Sequence, residues 1–336
     1  MLYAMQSPAH TNIGGGLAAF GIITKELSRV KRLIEEQLNY CASRPELHRF
    51  LESFNSTGGK MLRPGLLLLS GGSVGRLTDR HIQVAAIVEM IHNATLLHDD
   101  VVDNGLQRRG KSTVNSLYGN ESAVLLGDFL LSKVFRMCAD LQPEIIGIIA
   151  SAAAQTCEGE LRQTIQKHDW QLSEAEYIDI ITEKSAALFS SSCELGGLLS
   201  GANETETSSL KGFGLNVGIA FQITDDLLDI VGDERKTGKS LGSDFDKDKL
   251  TLAVIHLLRA VDENERDVVK NRLSSPGRNK EAFVEILNQF GSLEYARNRA
   301  GEFIDKARRS LANLRQSEAK IALLSVAEFV AGRAVC

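Results

Sequence analysis

The sequence predicts an all-α fold, a large helical bundle that forms a single domain. Apolar residues recur at helical spacing along most of the 336 residues, whereas strand-like alternation is rare. Proline occurs only five times, and 43% of the residues are hydrophobic, which is enough for a sizeable core. Two of the predicted helices carry apolar stripes and clusters of aspartates. Such helices predict a bundle around a central, elongated apolar cavity.

Helical periodicity divides the chain into a series of predicted helices. They span about 22–38, 46–54, 80–102, 121–139, 144–167, 175–199 and 208–230, and another includes the apolar run Leu66–Leu69. Toward the end of the chain they span 251–260, 263–272, 280–289, 293–314 and 317–333. Residues 231–250 are charged and contain three glycines, so they are predicted to form a loop.

Local signals predict several helix ends. Pro64 suits the first turn of the helix that contains Leu66–Leu69. Asn104 and Gly105 are typical of a helix stop and follow the first aspartate cluster directly. Ser173 predicts an N-cap, and Glu176 completes a capping box three residues later.

Composition and charge restrict the organisation and the location of the protein. Residues 1–18, with three successive glycines, predict a flexible N-terminal arm, and residues 19–336 predict one domain. The net charge of −5 argues against a general nucleic-acid partner. No apolar run has the length of a transmembrane segment, and the N-terminus does not resemble a signal peptide. The five cysteines are odd in number, widely spread and without metal-binding spacing, which predicts reduced thiols and a cytoplasmic location.

The strongest functional signal is a DDxxD pattern that occurs twice. It lies at Asp99–Asp103 within LLHDDVVD and at Asp225–Asp229 within FQITDDLLDIV. On a helix the first and fifth positions are one turn apart, so each motif directs two carboxylates the same way with a third beside them. Carboxylates beside an apolar stripe are costly to desolvate unless a cation neutralises them. Carboxylate oxygens that share an ion with water and phosphate suit Mg²⁺.

A single DDxxD pattern is a weak signal, because acidic runs on helices are usually solvated faces. Two copies in apolar helical settings are much harder to obtain by chance. We therefore expect two acidic clusters that face each other across a cavity, with Mg²⁺ and an anionic ligand between them. The predicted metal-binding residues are Asp99, Asp100, Asp103, Asp225, Asp226 and Asp229.

An anion held between acidic clusters also needs basic residues. The candidates are Lys60, Arg63, Arg108, Arg109, Lys184, Lys236, Lys239, Lys247 and Lys249. Residues such as Arg108, Lys236 and Lys247, each taken alone, are better explained as solvated surface cations. Lys184 differs because it lies in ITEKSAALF, an apolar helical context in which a lone lysine needs a reason. His92 lies two turns before Asp99 on about the same face, with a core histidine as the alternative.

The ordered motifs resemble those of the trans-isoprenyl diphosphate synthases, the polyprenyl synthetase family. They are GGKMLRP, IHNATLLHDDVVDNGLQRRG, EKSAALF, FQITDDLLD and TGKSLGSDFDKDKLT, and the resemblance extends from about Leu27 to Arg333. It implies the isoprenoid synthase fold, a homodimer and three Mg²⁺ ions in each active site. It also implies a reaction in which isopentenyl diphosphate is joined 1′-4, head to tail, to an allylic diphosphate, most like the long-chain members.

The resemblance implies a role for each matching position. Asp99, Asp103 and Asp225 bind Mg²⁺, and Asp100, Asp226 and Asp229 assist them. Arg108, Lys184 and Lys239 hold the allylic diphosphate, and Ser185 and Gln222 line its pocket. Lys60, Arg63, His92 and Arg109 hold isopentenyl diphosphate. The catalytic set is thus Asp99, Asp103, Asp225, Lys184 and Arg108.

Four positions depart from the family pattern. Ser185 stands where threonine is usual but keeps the hydroxyl, so we expect it to serve. Met61 stands where arginine is usual, which weakens the expected isopentenyl diphosphate site. Asp248 and Ala253 replace a usual glycine and a common proline, which affects the expected loop geometry. None of the four removes a predicted metal ligand.

Small residues before the first motif predict a long product. The growing chain should pass along the first acidic helix, where Ala94 and Thr95 lie one turn before Asp99 and Ile91 and Val88 lie beyond them. None is aromatic, whereas the short-chain members place an aromatic there, so we expect a product longer than C20. Phe129 or Phe135 is a candidate floor, with core packing as the favoured alternative for each.

Other functions remain open at this point. A farnesyl or geranylgeranyl diphosphate synthase would share every motif. A class I terpene cyclase would share the first motif but usually has a second motif of another type. An inactive subunit of a heteromeric synthase would typically lack one of the two aspartate clusters, and both are present here.

Overall fold

A computed structural model describes residues 18–39, 51, 59–108, 110–167, 169–231, 249–274 and 280–333. The predicted all-α fold is confirmed. A 3₁₀ segment, Ala18–Ile23, leads into α1 (Thr24–Asn39). The next helices are α2 (Leu62–Val74), α3 (Asp79–Val102), α4 (Val114–Tyr118), α5 (Asn120–Cys138), and α6 (Pro143–Ile165).

The second half of the chain adds eight further helices among the described residues. They are α7 (Glu174–Ile181), α8 (Ala187–Leu199), α9 (Glu204–Val231), α10 (Leu252–Ala260), α11 (Glu263–Ser274), α12 (Lys280–Gln289), α13 (Ser292–Ser310) and α14 (Glu318–Gly332). Most predicted helices are confirmed to within a few residues. The helix predicted over 46–54, apart from Leu51, and nearly all of the loop predicted over 231–250 lie outside the described residues.

Two features differ from the sequence prediction. The helix predicted over 175–199 is divided by a π-helical turn, Thr182–Ala186, which separates α7 from α8. A short antiparallel hairpin follows the first aspartate motif and pairs β1 (Gln107–Arg108) with β2 (Lys111–Ser112). Strands of two residues are too short to produce a detectable alternation, so this hairpin has no signature in the sequence.

The helix ends follow the predicted chemistry. The Ser173 side chain accepts a hydrogen bond from the Glu176 main-chain N–H, and the Glu176 carboxylate accepts one from the Ser173 N–H, so the predicted capping box is confirmed. Asn104 has a left-handed φ of 49°, and the Gly105 N–H donates to the Asp100 carbonyl at 2.8 Å. Pro64 lies in the first turn of α2, where its missing N–H costs no helical hydrogen bond.

The long helix α9 lies at the centre of the bundle and packs mainly on α8 and α13. Helix α2 packs on α8, and its run Leu66–Leu69 is fully buried, while α3 packs on α5. At Gly196 on α8 a Cβ atom would lie 2.9 Å from the Leu67 carbonyl carbon, so α2 and α8 approach too closely for a side chain. These contacts bring the ends of α3 and α9, which carry the aspartates, to one region. No described helix is both long enough and apolar enough to cross a membrane.

Candidate active site

The first aspartate motif lies at the C-terminal end of α3. Asp99 and Asp100 occupy the last turn, and Asp103 is the C-cap, whose N–H donates to the Asp99 carbonyl at 2.8 Å. The C-terminal end of a helix carries a partial negative charge, so three carboxylates there are unfavourable without cations nearby. The surroundings of each aspartate supply such cations.

Arg108, on the first hairpin strand, joins the two aspartate motifs electrostatically. Its Nη2 donates to Asp100 Oδ1 at 2.7 Å and its Nε donates to Asp100 Oδ2 at 3.1 Å, the fork geometry in which arginine binds carboxylate most strongly. Burial lowers the pKa of Arg108, but Asp100, and then Asp99 and Asp225, more than offset this effect, and its pKa lies above the usual value. Arg108 therefore forms hydrogen bonds with the first motif and interacts electrostatically with the second.

Asp103 is neutralised by lysines from outside the first motif. Lys249 Nζ donates to its Oδ2 at 2.9 Å, and Lys167 Nζ, near the end of α6, lies 4.0 Å from its Oδ1. A small hollow beside this aspartate is lined by Lys167 and Lys249 and also by Gln163 and Tyr177. Tyr177 contacts the second motif, so the hollow connects the surroundings of both motifs.

The carboxylate of Asp99 has a raised pKa. Burial raises its pKa to about 6; Lys184 opposes this rise, whereas Glu160 adds to it. Lys184, in the π turn, forms an ion pair with Glu160 on α6, and its Nζ donates to Gln163 Oε1 at 2.8 Å. Lys184 lies in an apolar sequence context because its charge offsets that of nearby acidic side chains. It pairs with Glu160 and opposes the rise in the pKa of Asp99.

The second motif lies near the C-terminal end of α9. Asp225 Oδ1 accepts a hydrogen bond from Arg333 Nη2 at 3.0 Å, which ties the motif to the end of α14. Asp226 is buried and accepts from Tyr177 Oη at 2.6 Å and from Gln222 Nε2 at 2.7 Å. Asp229 lies one turn after Asp225 and is partly buried. Gln222 also accepts from Ser185 Oγ at 2.6 Å, so the two residues predicted to line the allylic pocket are in contact.

An aromatic pair separates Arg63 from the second motif. The rings of Phe189 and Phe221 lie 5.3 Å apart between their centroids. The Arg63 guanidinium lies 4.5 Å from the Phe189 centroid, and that of Arg333 lies 4.6 Å from the Phe221 centroid. Such cation–π contacts hold an arginine at a fixed position on an apolar surface.

The remaining predicted binding residues lie farther out or outside the described residues. Lys60 Nζ lies 5.6 Å from the ring centroid of Phe329 on α14. Between Lys60 and Arg63, Met61 is buried and has a left-handed φ of 52°. His92 lies on α3, is partly buried, and its carbonyl accepts a hydrogen bond from Thr95. Arg109, Lys236, Lys239, Lys247 and Asp248 lie outside the described residues, so their predicted roles stay predictions.

The residues predicted to set chain length line the same face of α3. Ala94, Ile91 and Val88 are buried, and Thr95 is partly buried. Phe129 is partly buried and packs against the core, whereas Phe135 is 73% exposed. Core packing within this chain, the favoured alternative for Phe135, is therefore wrong, because the phenyl ring points to the exterior.

The carboxylates fit a divalent cation by their chemistry. Both motifs supply carboxylate oxygens, which are the ligands that a hard divalent cation binds. Among the described residues, no three histidine, cysteine or acidic side chains already converge in a metal-binding arrangement. The carboxylates form ion pairs with the arginines and lysines described above instead. The assignment of metal ligands therefore stays a prediction.

Several residues of the site were missed by sequence reasoning. They are Glu160, Gln163, Lys167, Tyr177 and Arg333. Glu160 and Gln163 lie three residues apart on α6, and Lys167 follows just after the helix ends. Their spacing, i, i+3 and i+7, is a polar stripe that is detectable from the sequence alone. Tyr177 is indistinguishable from a core aromatic in the sequence, and Arg333 lies 108 positions from its partner Asp225.

Comparison with known proteins agrees with this fold. The family model described as polyprenyl synthetase matches residues 44–290. The octaprenyl diphosphate synthase of Escherichia coli is 34% identical over 316 residues, which cover 93% of this chain and 97% of that protein. Synthases of the shorter geranylgeranyl chain also match this chain.

Solved structures with the same fold cover nearly the whole chain. A decaprenyl diphosphate synthase from Rhodobacter capsulatus superposes with a TM-score of 0.87 at 36% identity and covers 94% of this chain and 98% of that one. A polyprenyl synthase from Caulobacter crescentus, solved with calcium and isoprenyl diphosphate, has a TM-score of 0.87 at 31% identity and covers 93% and 96%. The fold and the site thus define a trans-prenyltransferase of the isoprenoid synthase fold. The chain belongs to the polyprenyl synthetase family.

Proposed function

We propose that this prenyltransferase joins isopentenyl diphosphate head to tail, by a 1′-4 condensation, to an allylic diphosphate in the cytoplasm and releases a trans-polyprenyl diphosphate longer than C20. The observation that carries the proposal is the position of Arg108, which interacts with aspartates of both motifs. A diphosphate held there is contacted from two acidic helices and by a cation between them. The octaprenyl and decaprenyl products in the names of the relatives support the long chain.

Magnesium is the proposed cofactor, with three ions as the resemblance implies. Asp99 and Asp103 from α3 and Asp225 from α9 would bind it directly, with Asp100, Asp226 and Asp229 in support. The calcium ion in the Caulobacter crescentus structure supports a divalent cation. When bound, Mg²⁺ supplies positive charge that stabilises the diphosphate leaving group.

The protein residues promote ionisation by placing donors where negative charge develops. Arg108 and Lys184 would donate to the leaving diphosphate as the allylic C–O bond breaks, and Lys239 would join them. The double bond of isopentenyl diphosphate attacks the resulting carbocation. A proton is then lost, and the departed diphosphate is the proposed base. The apolar wall of α3, which includes the buried Ala94 and Ile91, would exclude water that would quench the cation.

Isopentenyl diphosphate would bind on the Arg63 side of the aromatic pair. Lys60, Arg63, His92 and Arg109 are the proposed donors. Arg63 is held over the Phe189 ring, so its guanidinium edge can contact a phosphate without a large loss of side-chain entropy. Met61, which replaces a usual arginine, is buried and supplies no donor.

The experiment that tests this function is an extension assay. The purified protein is incubated with Mg²⁺, farnesyl diphosphate and labelled isopentenyl diphosphate, and the chain length of the dephosphorylated product is measured by chromatography. Extension beyond C20 supports the proposal. A cyclic hydrocarbon with diphosphate release would identify a cyclase, and activity only with an added partner would identify a subunit. A product of C15 or C20 would identify a short-chain synthase.

Substitution of Ala94 by phenylalanine is expected to shorten the product. Ala94 is buried one turn before Asp99, so a phenyl ring there would block the path along α3. Ile91→Phe is the matched variant, because Ile91 lies about 4.5 Å farther from the motif along the helix. We expect the product length to increase in the order Ala94→Phe, Ile91→Phe, unmodified enzyme. Identical product distributions in folded variants would show that this wall does not limit the chain.

We also propose a homodimer, as the resemblance implies. Large apolar side chains on α5 and α6 point outward, including Leu125, Phe135, Leu161 and Ile165. Exposed apolar residues of this kind are typical of an interface. Ile165→Glu is expected to shift the sedimentation coefficient from dimer to monomer, whereas Ile321→Glu on α14 should leave it unchanged. An unmodified protein that sediments as a monomer at micromolar concentration would contradict the proposal.

A further inference from the structure

Both carboxylate oxygens of Asp226 are engaged inside the protein. Oδ2 accepts from Tyr177 Oη at 2.6 Å, and Oδ1 accepts from Gln222 Nε2 at 2.7 Å. Asp226 is 8% exposed and Tyr177 is 3% exposed, so water contributes little to this arrangement. A buried carboxylate is costly unless hydrogen bonds satisfy it, and these two bonds contribute to that satisfaction. Asp226 is therefore directed into the contact between α7 and α9.

Gln222 extends this arrangement to the π turn. Its Nε2 group donates to Asp226, and its Oε1 accepts from Ser185 Oγ at 2.6 Å. The result is a continuous chain of hydrogen bonds from Ser185 through Gln222 and Asp226 to Tyr177. Each member has a single orientation that satisfies its neighbours, so the chain specifies one arrangement of its side chains.

The two ends of this chain lie beside groups that would hold the diphosphate. Ser185 directly follows Lys184 in the π turn, and Asp226 directly follows Asp225 on α9. At Gly218 on α9 a Cβ would lie 2.6 Å from the Ala186 Cα, so the π turn and α9 are also in direct main-chain contact. π-helical turns are frequent at functional sites because the extra residue redirects side chains. Here the hydrogen-bond chain fixes the redirected turn relative to the second motif.

We propose that Tyr177 is a positioning residue for the prenyl transfer, an inference that rests on the proposed function. Its hydroxyl holds Asp226 in the contact between α7 and α9, and Asp226 thereby supports the metal site indirectly. Asp225, about 100° around the helix from Asp226, then faces the proposed diphosphate site. Through Gln222 and Ser185 the same chain maintains the separation between Asp225 and Lys184. A diphosphate is then bound from both sides at a fixed spacing, which is the requirement for efficient ionisation.

The test compares Tyr177→Phe with Tyr295→Phe. Tyr295 Oη donates to Glu174 at 2.5 Å, so the control also removes a tyrosine–carboxylate hydrogen bond, at the first turn of α7 and outside the site. Isothermal titration measures binding of inorganic pyrophosphate in the presence of Mg²⁺, and Mn²⁺ electron paramagnetic resonance measures ion binding. We expect Tyr177→Phe to weaken pyrophosphate binding about tenfold and Tyr295→Phe to leave it unchanged. A Tyr177→Phe protein within twofold of the unmodified protein in both measurements would overturn the proposal.

A double variant tests whether Tyr177 acts through the hydrogen-bond chain. Ser185→Ala removes the other end of the chain, whereas Ser185→Thr keeps the hydroxyl. We expect Ser185→Thr to recover most of the pyrophosphate affinity that Ser185→Ala loses. The double variant Tyr177→Phe with Ser185→Ala should lose less affinity than the product of the two single losses, because both changes act on Asp226. Full multiplicativity of the two losses would overturn the proposal. These binding measurements need no turnover, so they test the inference separately from the proposed function. If the unmodified protein bound pyrophosphate but extended no prenyl chain, only the proposed function would be refuted.

Discussion

Replacement of Asp99 by asparagine is expected to lower kcat/KM by about 10²–10³-fold and, at the same time, to stabilise the protein in metal-free buffer at pH 7. The loss of activity follows because asparagine keeps the size of the side chain but removes the charge that binds a divalent cation. The gain in stability follows from the buried position of the carboxylate. The two opposite effects distinguish a functional aspartate from a structural one.

The sign of the stability effect follows from the pKa of Asp99. Burial raises this pKa to about 6, above the unfolded value of 3.8, so the folded protein binds the proton more tightly than the unfolded chain does. The contribution of Asp99 to stability is therefore greatest at low pH and is lost as the pH rises through about 6. At pH 7 the ionised carboxylate costs on the order of 3 kcal/mol, which the permanently neutral asparagine avoids.

Urea unfolding with EDTA at pH 5 and pH 7, together with steady-state kinetics, measures both effects. The stability difference between Asp99→Asn and the unmodified protein should shrink at pH 5. Asp140→Asn is the control, because Asp140 pairs with Arg80 at the other end of α3. Arg80 is 19 residues before Asp99, about 28 Å along the helix, so activity should not change. If Asp99→Asn lost stability together with activity, Asp99 would be structural; if it kept full activity, the first motif would not carry the reaction.

The helices were predictable because their signals are local. Apolar periodicity and a few end residues, such as Ser173 with Glu176, specify where α7 begins without reference to the rest of the chain. The π turn after α7 has no such signal. It depends on contacts with α6 and α9, where Gly159 and Gly218 allow the main chains to meet. Tertiary packing therefore decides a feature that the helical pattern of ITEKSAALF does not contain.

The site was predictable in residue type but less so in its pairings. The charges and their positions beside apolar runs identified Asp99, Asp225 and Lys184. The partner of Arg108 depends on the hairpin, which turns the chain back so that Arg108 reaches Asp100. Tyr177 is missed for a further reason: a buried tyrosine on a helix face has the same pattern whether its hydroxyl is satisfied by a carbonyl, by water or by Asp226.

Gly159 allows α6 to approach the π turn closely enough for Lys184 to contact its partners on α6. At Gly159 on α6, a Cβ atom would lie 2.8 Å from the Lys184 Cα and still closer to the Lys184 main-chain nitrogen. Main-chain atoms in the π turn cannot move aside as a flexible side-chain tip does. An alanine at this position therefore has to push α6 away from the turn, which separates Lys184 from Glu160 and Gln163 on the same helix.

Gly159→Ala is expected to destabilise the fold by about 1–3 kcal/mol and to reduce kcat/KM at least tenfold. Gly147→Ala is the matched control on the same helix, because its Cβ would meet nothing within 4 Å. That control should be more stable by about 0.5–1 kcal/mol, since alanine favours the helix over glycine, and should keep full activity. Urea unfolding and the extension assay measure both variants. If Gly159→Ala matched the unmodified enzyme in stability and activity, the close contact between α6 and the π turn would not be required for stability. The position of Lys184 would then not depend on that contact.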